Sequence, residues 1–458
     1  MNWLVPFALY GWMPLVAVLF AALPPARAVI VAYVAGWMFL PVSGVQLFGF
    51  FDYTKGTAVP LVVFLAVLVF DPRSLSRLRF TVLDLPVAVF CVTPLLSSLA
   101  NDLGWYDGLS AVLYQTIIWG LPYLTGRIYF SSPEGLRRLA LGMLAGGLVY
   151  APLCLWEIRM SPQLHAALYG FHQHDWTQTL RFGGYRPMVF MHHGLMLGLW
   201  MGAAALIGLA LWMSGAVRKI WGIPLSIAVP ALLATTVLCK SFGATILVLA
   251  ATLVLVAMRT FRTSLPMALF LCLPSTYVLA RTMGAWSGAD LTGLVSELSS
   301  ERASSLSFRL EAEEKLRLKA AERPVFGWGG WGRSFVRRYD DPERVDTVIT
   351  DSLWILVFGK FGAVGLGSLL LCFFAPVRAL WRRCPPRLWA SPGAALPWAL
   401  ALVLTLYALD NLVNAMVNPV YFLIAGGLCG LAPASVRATP GARVARVRPR
   451  SAVTVSAP

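Results

Sequence analysis

Ser304-Ser-Leu-Ser-Phe-Arg-Leu-Glu-Ala-Glu-Glu-Lys-Leu-Arg-Leu-Lys-Ala-Ala-Glu322, followed by Arg323-Pro-Val-Phe-Gly-Trp-Gly-Gly-Trp-Gly332, lies inside the one long polar stretch of this chain. That stretch, Arg281 to Asp351, holds twelve of the 21 acidic residues. On both sides the sequence is a succession of apolar runs. A long polar insert between membrane spans is where a membrane protein can do chemistry in water. Its side of the bilayer is the side on which that chemistry happens.

Outside the insert the composition is that of a membrane protein. The chain has 458 residues, 58% hydrophobic and 13% charged, with mean hydropathy +0.71. A soluble protein of this size could not cover so much apolar surface. The runs are about 17–22 residues long, enough to cross a hydrocarbon core of about 30 Å as helices. Helices satisfy their own backbone hydrogen bonds in lipid, and barrel-like alternation is absent. Spans are predicted near 3–22, 28–46, 57–70, 84–100, 108–125, 139–156, 188–213, 220–238, 242–258, 264–281, 352–375, 393–410 and 418–436. The expected fold is therefore an all-α polytopic bundle of 12–13 transmembrane helices, twelve if Pro24 and Pro25 break one hairpin. Its units are a bundle over 1–281, a loop domain over 282–351, further spans over 352–436 and a basic tail over 437–458.

Net charge of +16 would suit nucleic acid, but the bases sit in short loops and in the tail. Arg73, Arg77, Arg79, Arg127, Arg137, Arg138, Arg218, Lys219, Arg259, Arg262, Arg378, Arg382, Arg383 and Arg387 mark one side. This is the positive-inside pattern, with some attraction to anionic lipid, and it excludes nucleic acid as the expected partner. Alternation then places residues 157–187, residues 282–351 and the turn after Asp410 outside. The seven cysteines lie mostly in apolar runs without a CxxC, so neither a disulfide framework nor a zinc site is expected. Residues 3–22 read as a retained span rather than a signal peptide.

Chemistry on the outer face has no ATP to draw on, so its substrate must arrive activated, commonly as a lipid-linked diphosphate. Such a site needs fixed cations, a base for the acceptor and groups to hold sugars. Arg186 sits where an outer loop re-enters the membrane, in Gly183-Gly-Tyr-Arg-Pro-Met-Val-Phe-Met-His-His193. It either snorkels to lipid head groups or makes a bidentate contact with phosphate. Arg181 and Lys240 are further candidate cations, and His192 and His193 could line the same cavity. All five histidines fall at or just beyond this loop: His165, His172, His174, His192 and His193.

In the large insert, residues 304–322 are predicted to form a helix with Glu311–Lys315 and Glu313–Arg317 pairs and a Leu306, Leu310, Leu316 stripe. Arg302 and Arg309 share a face that is either a solvated surface or part of the site. The Gly327–Gly332 loop is a turn that could also offer backbone N–H groups to phosphate, with Trp328 and Trp331 stacking on sugars. Asp351 either caps the following helix or acts as a general base. Asp410 and Asn411 within a late span are expected to face the protein interior.

Three clusters in this order resemble the O-antigen ligase and polysaccharide polymerase superfamily of bacterial inner-membrane glycosyltransferases. Arg181 to Leu195 looks like the family's arginine segment, with Arg186 as the matching arginine and Arg181 as second choice. Ser305, Arg309, Pro324, Gly327 and Gly329 follow the family's serine, arginine and Pro-x-x-Gly-x-Gly order. Trp354, Ile355, Gly362 and Gly365 fall in register with a third motif, but Asp351 and Ser352 stand where many members have His-Asn. The resemblance implies transfer of a glycan from a polyprenyl diphosphate to an acceptor sugar hydroxyl, with inversion. Arg186 and Arg309 would hold the diphosphate and Asp351 would take the acceptor proton. No metal or soluble cofactor is expected, because arginines can neutralise the charge. The carboxylate in the histidine place tilts the reading towards polymerisation of O-antigen or exopolysaccharide units. Ligation to a lipid A core is the alternative, with the acceptor a glycan or glycolipid. A flippase of lipid-linked sugars and a non-catalytic partner of other polysaccharide assembly proteins are the competing readings.

Overall fold

The computed structural model describes residues 2–47, 51–341, 344–348, 350–384 and 392–431. The basic tail expected over 437–458 lies outside the described residues. Helices dominate: α1 (Leu4–Ala22), α2 (Pro25–Phe39), α3 (Lys55–Phe70), α4 (Leu85–Ala100), α5 (Gly104–Gln115), α6 (Leu121–Tyr129), α7 (Pro133–Met160), α8 (Leu164–Tyr169) and α9 (Gly194–Met213) come first. After them follow α10 (Leu225–Leu238), α11 (Phe242–Phe261), α12 (Leu265–Thr282), α13 (Ala289–Leu298), α14 (Ser300–Ala321), α15 (Leu353–Arg383), α16 (Pro392–Asp410) and α17 (Pro419–Gly430). The strands are two to five residues long and form two-stranded hairpins, among them Leu180–Arg181 with Gly184–Tyr185.

Seven of the described helices (α1, α4 with the turn before it, α7, α9, α11, α12 and α15) are long and apolar enough to cross a membrane. Shorter apolar helices α2, α3, α10, α16 and α17 stand among them. The protein is an all-α, multi-pass membrane protein. The run predicted over 108–125 is two helices, α5 and α6, joined by a π turn at Thr116–Gly120. α1 and α2 are separate helices meeting at Leu23 and Pro24.

Helix α9 is the almost wholly buried axis of the bundle. Its small residues permit this. A Cβ on Gly198 would overlap the Ser241 side chain, and one on Gly202 would overlap Val248, so Ser241 and α11 pack directly on the α9 backbone. Peripheral helices behave oppositely. Ile246, Leu249, Leu253 and Val256 of α11 are exposed at helical spacing, a stripe suited to lipid tails.

Polar contacts sort the two ends of the bundle. At one end Asp84 pairs with Arg127 at 2.8 Å, Tyr129 donates to Asp71 at 2.9 Å and Arg383 reaches the carbonyls of Cys429 and Leu431. The basic short loops gather there. At the opposite end lie the 161–193 loop, the polar segment with α13 and α14, and the 411–418 turn. Asn2, just before α1, donates to the Leu168 carbonyl (2.9 Å), and the Leu353 amide donates to the Asn411 carbonyl (3.0 Å).

Candidate functional site

The helix expected from residue 188 begins only at Gly194. Residues 186–193 form instead an irregular strap buried in the polar end, with Val189 at φ 52°. Irregular backbone at this depth requires every polar group to find a protein partner. Arg186 N–H donates to the Thr179 carbonyl at 2.7 Å. Glu157, fully buried on α7, accepts from Met188 N–H (2.8 Å), Val189 N–H (2.7 Å) and Leu164 N–H (3.0 Å). Tyr150 accepts from Phe190 N–H at 3.1 Å. Gln173 donates to the Val189 and Met191 carbonyls (3.0 and 3.2 Å), and Lys55 donates to the Phe190 carbonyl at 2.9 Å. None of these supporting side chains stood out in the sequence. A buried Glu and Lys at the ends of apolar runs were the available signal.

Onto this strap the structure brings three of the candidate cations. Arg186 is only 4% exposed and lies over Gly194, where a Cβ would stand 2.6 Å from its Nε. Lys240, half-buried at a left-handed turn of φ 52°, presses its Nζ against Gly184. Arg181, on the same hairpin as Gly184, donates to Gln178 at 2.5 Å. His193 caps α9 by accepting from Leu195 N–H at 3.0 Å, and its ring lies 4.7 Å from that of His174. Burial first, then the positive charge of Arg186, pushes the His193 ring down to about 3. The exposed His192 ring stands 5.7 Å from His174.

A second group involves α14 and the end of α16. Arg309, half-buried on α14, is close enough for its charge to act on the carboxylate of Asp410, which ends α16. α9 packs along α16. Because α9 starts and α16 finishes at the polar end, the strap and this second group share it. Arg186 lies on the strap, Arg309 on α14 and Asp351 just before α15.

Asp351 is exposed and is not the cap of α15. Ser352 takes that place and turns its hydroxyl to Glu313. Glu313 is the residue the sequence reading misjudged most. Instead of pairing with Arg317 it is 1% exposed and faces Arg281 at 3.4 Å. It also accepts from Tyr277 (2.8 Å) and Trp354 (3.3 Å). Arg317 pairs with Glu314 at 2.6 Å, and Glu311 accepts from Ser307 at 3.0 Å rather than meeting Lys315. A buried acid gains more from an enclosed guanidinium than from a solvated neighbour on its own helix. This polar hub anchors α14 to α12 and α15.

The Gly/Trp loop is committed to structure. Trp328 and Gly329 N–H groups donate to the Gly359 and Lys360 carbonyls (2.8 and 3.0 Å), so they are not offered to phosphate. The Trp328 indole donates to the Lys319 carbonyl at 2.8 Å, with Lys319 Nζ 3.8 Å over its ring. Lys319 thus occupies one face of that ring. Trp331 is 80% exposed and donates to Asp107 at 3.1 Å. Arg302 lies on α14, but its side chain is outside the described residues. No family model matches the chain and no curated protein matches it significantly.

Two histidines make the polar end acid-sensitive. His165 accepts from Val42 N–H (3.1 Å) and donates from Nδ1 to the Phe171 carbonyl (2.9 Å). Burial pushes it down to about 4. In the unfolded chain both rings bind a proton near pH 6.5, whereas folded His165 and His193 resist to about 4 and about 3. Their contribution is present above pH 6.5 and is lost as pH falls towards those values, at up to about 1.4 kcal/mol per pH unit per ring. Thermal unfolding in detergent should therefore drop more steeply between pH 6.5 and 4.5 in the wild type than in His165→Gln. An equal slope in the two proteins would contradict this.

Proposed function

We propose that the polar end of the bundle transfers a glycan from a polyprenyl diphosphate to a sugar hydroxyl, as the resemblance to the O-antigen ligase and polymerase superfamily implies. The observation that supports it is the gathering of Arg181, Arg186 and Lys240 around one buried strap. Two of these cations lie directly against glycines, Arg186 against Gly194 and Lys240 against Gly184. Convergent cations at the end of an apolar bundle suit a diphosphate whose lipid stays in the membrane. They would bind the donor and stabilise negative charge on the leaving diphosphate as the glycosidic bond breaks. Arg309 would approach the same anion from α14. The reaction is inverting and needs no metal in this reading, because the guanidinium groups supply the charge.

The basic loops at the opposite end favour a bacterial inner membrane with the polar end facing the exterior. Polymerisation of O-antigen or exopolysaccharide repeat units is the favoured outcome. Ligation to a lipid A core uses the same donor chemistry and differs in the acceptor.

Protein reconstituted in liposomes with polyprenyl-diphosphate oligosaccharide should release polyprenyl diphosphate and form new glycosidic bonds. Arg186→Ala should lower turnover by about 100-fold or more, and Arg186→Lys should restore only part, since the bidentate contact is lost. Movement of donor across the bilayer without bond formation would replace this reading with a flippase. Unchanged turnover in Arg186→Ala would remove Arg186 from the site.

A further inference from the structure

A groove of about 510 Å³ opens between α12 and α15, within the range of about 300–1,000 Å³ usual for ligand clefts. Leu271 and Ser275 line it from α12, one turn apart, and Phe374, Arg378, Trp381 and Arg382 line it from α15. Phe374, Arg378 and Arg382 recur every four residues, so one stripe of α15 faces the groove. The stripe changes character along its length. Phe374 is apolar and half-buried, whereas Arg378 and Arg382 are exposed and fall in the last two turns of α15, at the basic end of the bundle.

The helices around the groove bring no acid to these arginines. No aspartate or glutamate occurs from Trp176 to Ala289 or from Ser352 to Leu409, which takes in α9 to α12, all of α15 and all of α16 but its last residue, at the opposite end. The acids that do reach the basic end belong to other elements and are engaged there. Asp84 pairs with Arg127, Glu134 with Arg138 at 3.0 Å, and Asp71 accepts from Tyr129. Like charges four residues apart on one helix repel and weaken it. An anion shared by Arg378 and Arg382 would turn that repulsion into attraction, and guanidinium groups match phosphate oxygens well.

We propose that the groove between α12 and α15 binds an anionic phospholipid from the leaflet at the basic end, with its phosphate on Arg378 and Arg382 and an acyl chain along Leu271 and Phe374. Basic pockets between membrane helices on this side suit such head groups. Trp381, edge-on to Trp398 at 6.1 Å, lies between the two arginines in sequence, and amphipathic indoles collect at head-group level. A soluble anion would leave the apolar part of the groove uncovered. A zwitterionic lipid would bring its own cation to the two arginines. The donor of the proposed reaction places its diphosphate at the polar end, across the membrane, so the two lipids do not compete and this site stands independently of that reaction.

The test strips lipid from the full-length protein in detergent, titrates it with dioleoylphosphatidylglycerol or dioleoylphosphatidylcholine, and counts bound lipid by native mass spectrometry. The wild type should favour phosphatidylglycerol by about 25-fold, and Arg378→Gln and Arg382→Gln should each remove about 5-fold of that preference. Ser275→Phe fills the groove without changing charge and should lower phosphatidylglycerol retention. Arg137→Gln with Arg138→Gln takes two charges from the same end and should leave the preference unchanged. Equal binding of the two lipids by the wild type, or an equal loss in the Arg137 and Arg138 variant, overturns the site in favour of a general basic surface. Inorganic phosphate that displaces the lipid, with retention untouched in Ser275→Phe, overturns the lipid and leaves an anion site. If the Arg378 and Arg382 variants fail to fold, unchanged retention in Ser275→Phe overturns the groove by itself.

Discussion

Replacing Glu157 with glutamine is expected to unseat the strap between Arg186 and His193 and to destabilise the protein by about 2–4 kcal/mol. Both carboxylate oxygens work as acceptors, Oε2 for Met188 and Val189 N–H and Oε1 for Leu164 N–H. A glutamine side chain has one acceptor oxygen, so its NH2 group must face a backbone N–H in either orientation. Two donors then point at each other in a site from which water is excluded. The strap is held in non-helical backbone, with Val189 left-handed at φ 52°. Since Arg186 and His193 are the ends of the strap, donor binding should weaken along with the unfolding temperature. Glu157→Gln with wild-type thermal stability in detergent would show that the strap is held by something else.

Gly362→Ala should be strongly damaging for a single added methyl, at about 3 kcal/mol or more. Gly362 breaks the Leu353–Arg383 helix at φ 64°, ψ −161°, a region open essentially to glycine alone. The break frees the Gly359 and Lys360 carbonyls, which accept from the Gly/Trp loop, while Ala363 N–H donates to the Pro324 carbonyl at 2.7 Å. A Cβ on Gly362 would stand 2.6 Å from Phe326 N and overlap the Val325 carbonyl. Backbone meets backbone there, so no side chain can yield. A Cβ on Gly327 would likewise lie 2.6 Å from Phe361 N. Losing this contact should undock α14 and expose the polar segment, visible as faster limited proteolysis around residues 283–335. Gly367→Ala on the same helix meets nothing within 4 Å and should be nearly silent. Equal behaviour of the two variants would contradict the account.

The glycine pair at Gly327 and Gly362 shows how a sequence pattern can be legible while its cause is not. The spacing Pro324, Gly327, Gly329 and Gly362, Gly365 was readable as a set, with phosphate binding one explanation for the loop. The fold gives another: two broken backbones lie against each other. Asp351 and Glu313 show the reverse error. Asp351 is conspicuous as a carboxylate before an apolar run, yet it faces solvent, and the neighbouring Ser352 turns inward to Glu313. Local spacing paired Glu313 with Arg317, whereas burial pairs it with Arg281 across 32 residues of chain. Helix periodicity contains no term for a partner so far away.

Apolar run length and the placement of charge were enough to establish an all-α membrane bundle, the separation of its basic and polar ends, and a helix through residues 304–321. These follow from one-dimensional physics: a hydrocarbon slab of set thickness and a preference for bases on one side of it. Packing alone settled that residues 186–193 form a buried strap instead of a helix, that Lys240 and Arg186 press on glycines of the same end, and that Asp410 is buried with Asn414 donating to its Oδ1. Each of those depends on what another helix, distant along the chain, places beside the residue, since a polar group's energy in a low-dielectric interior is decided by its neighbour in space.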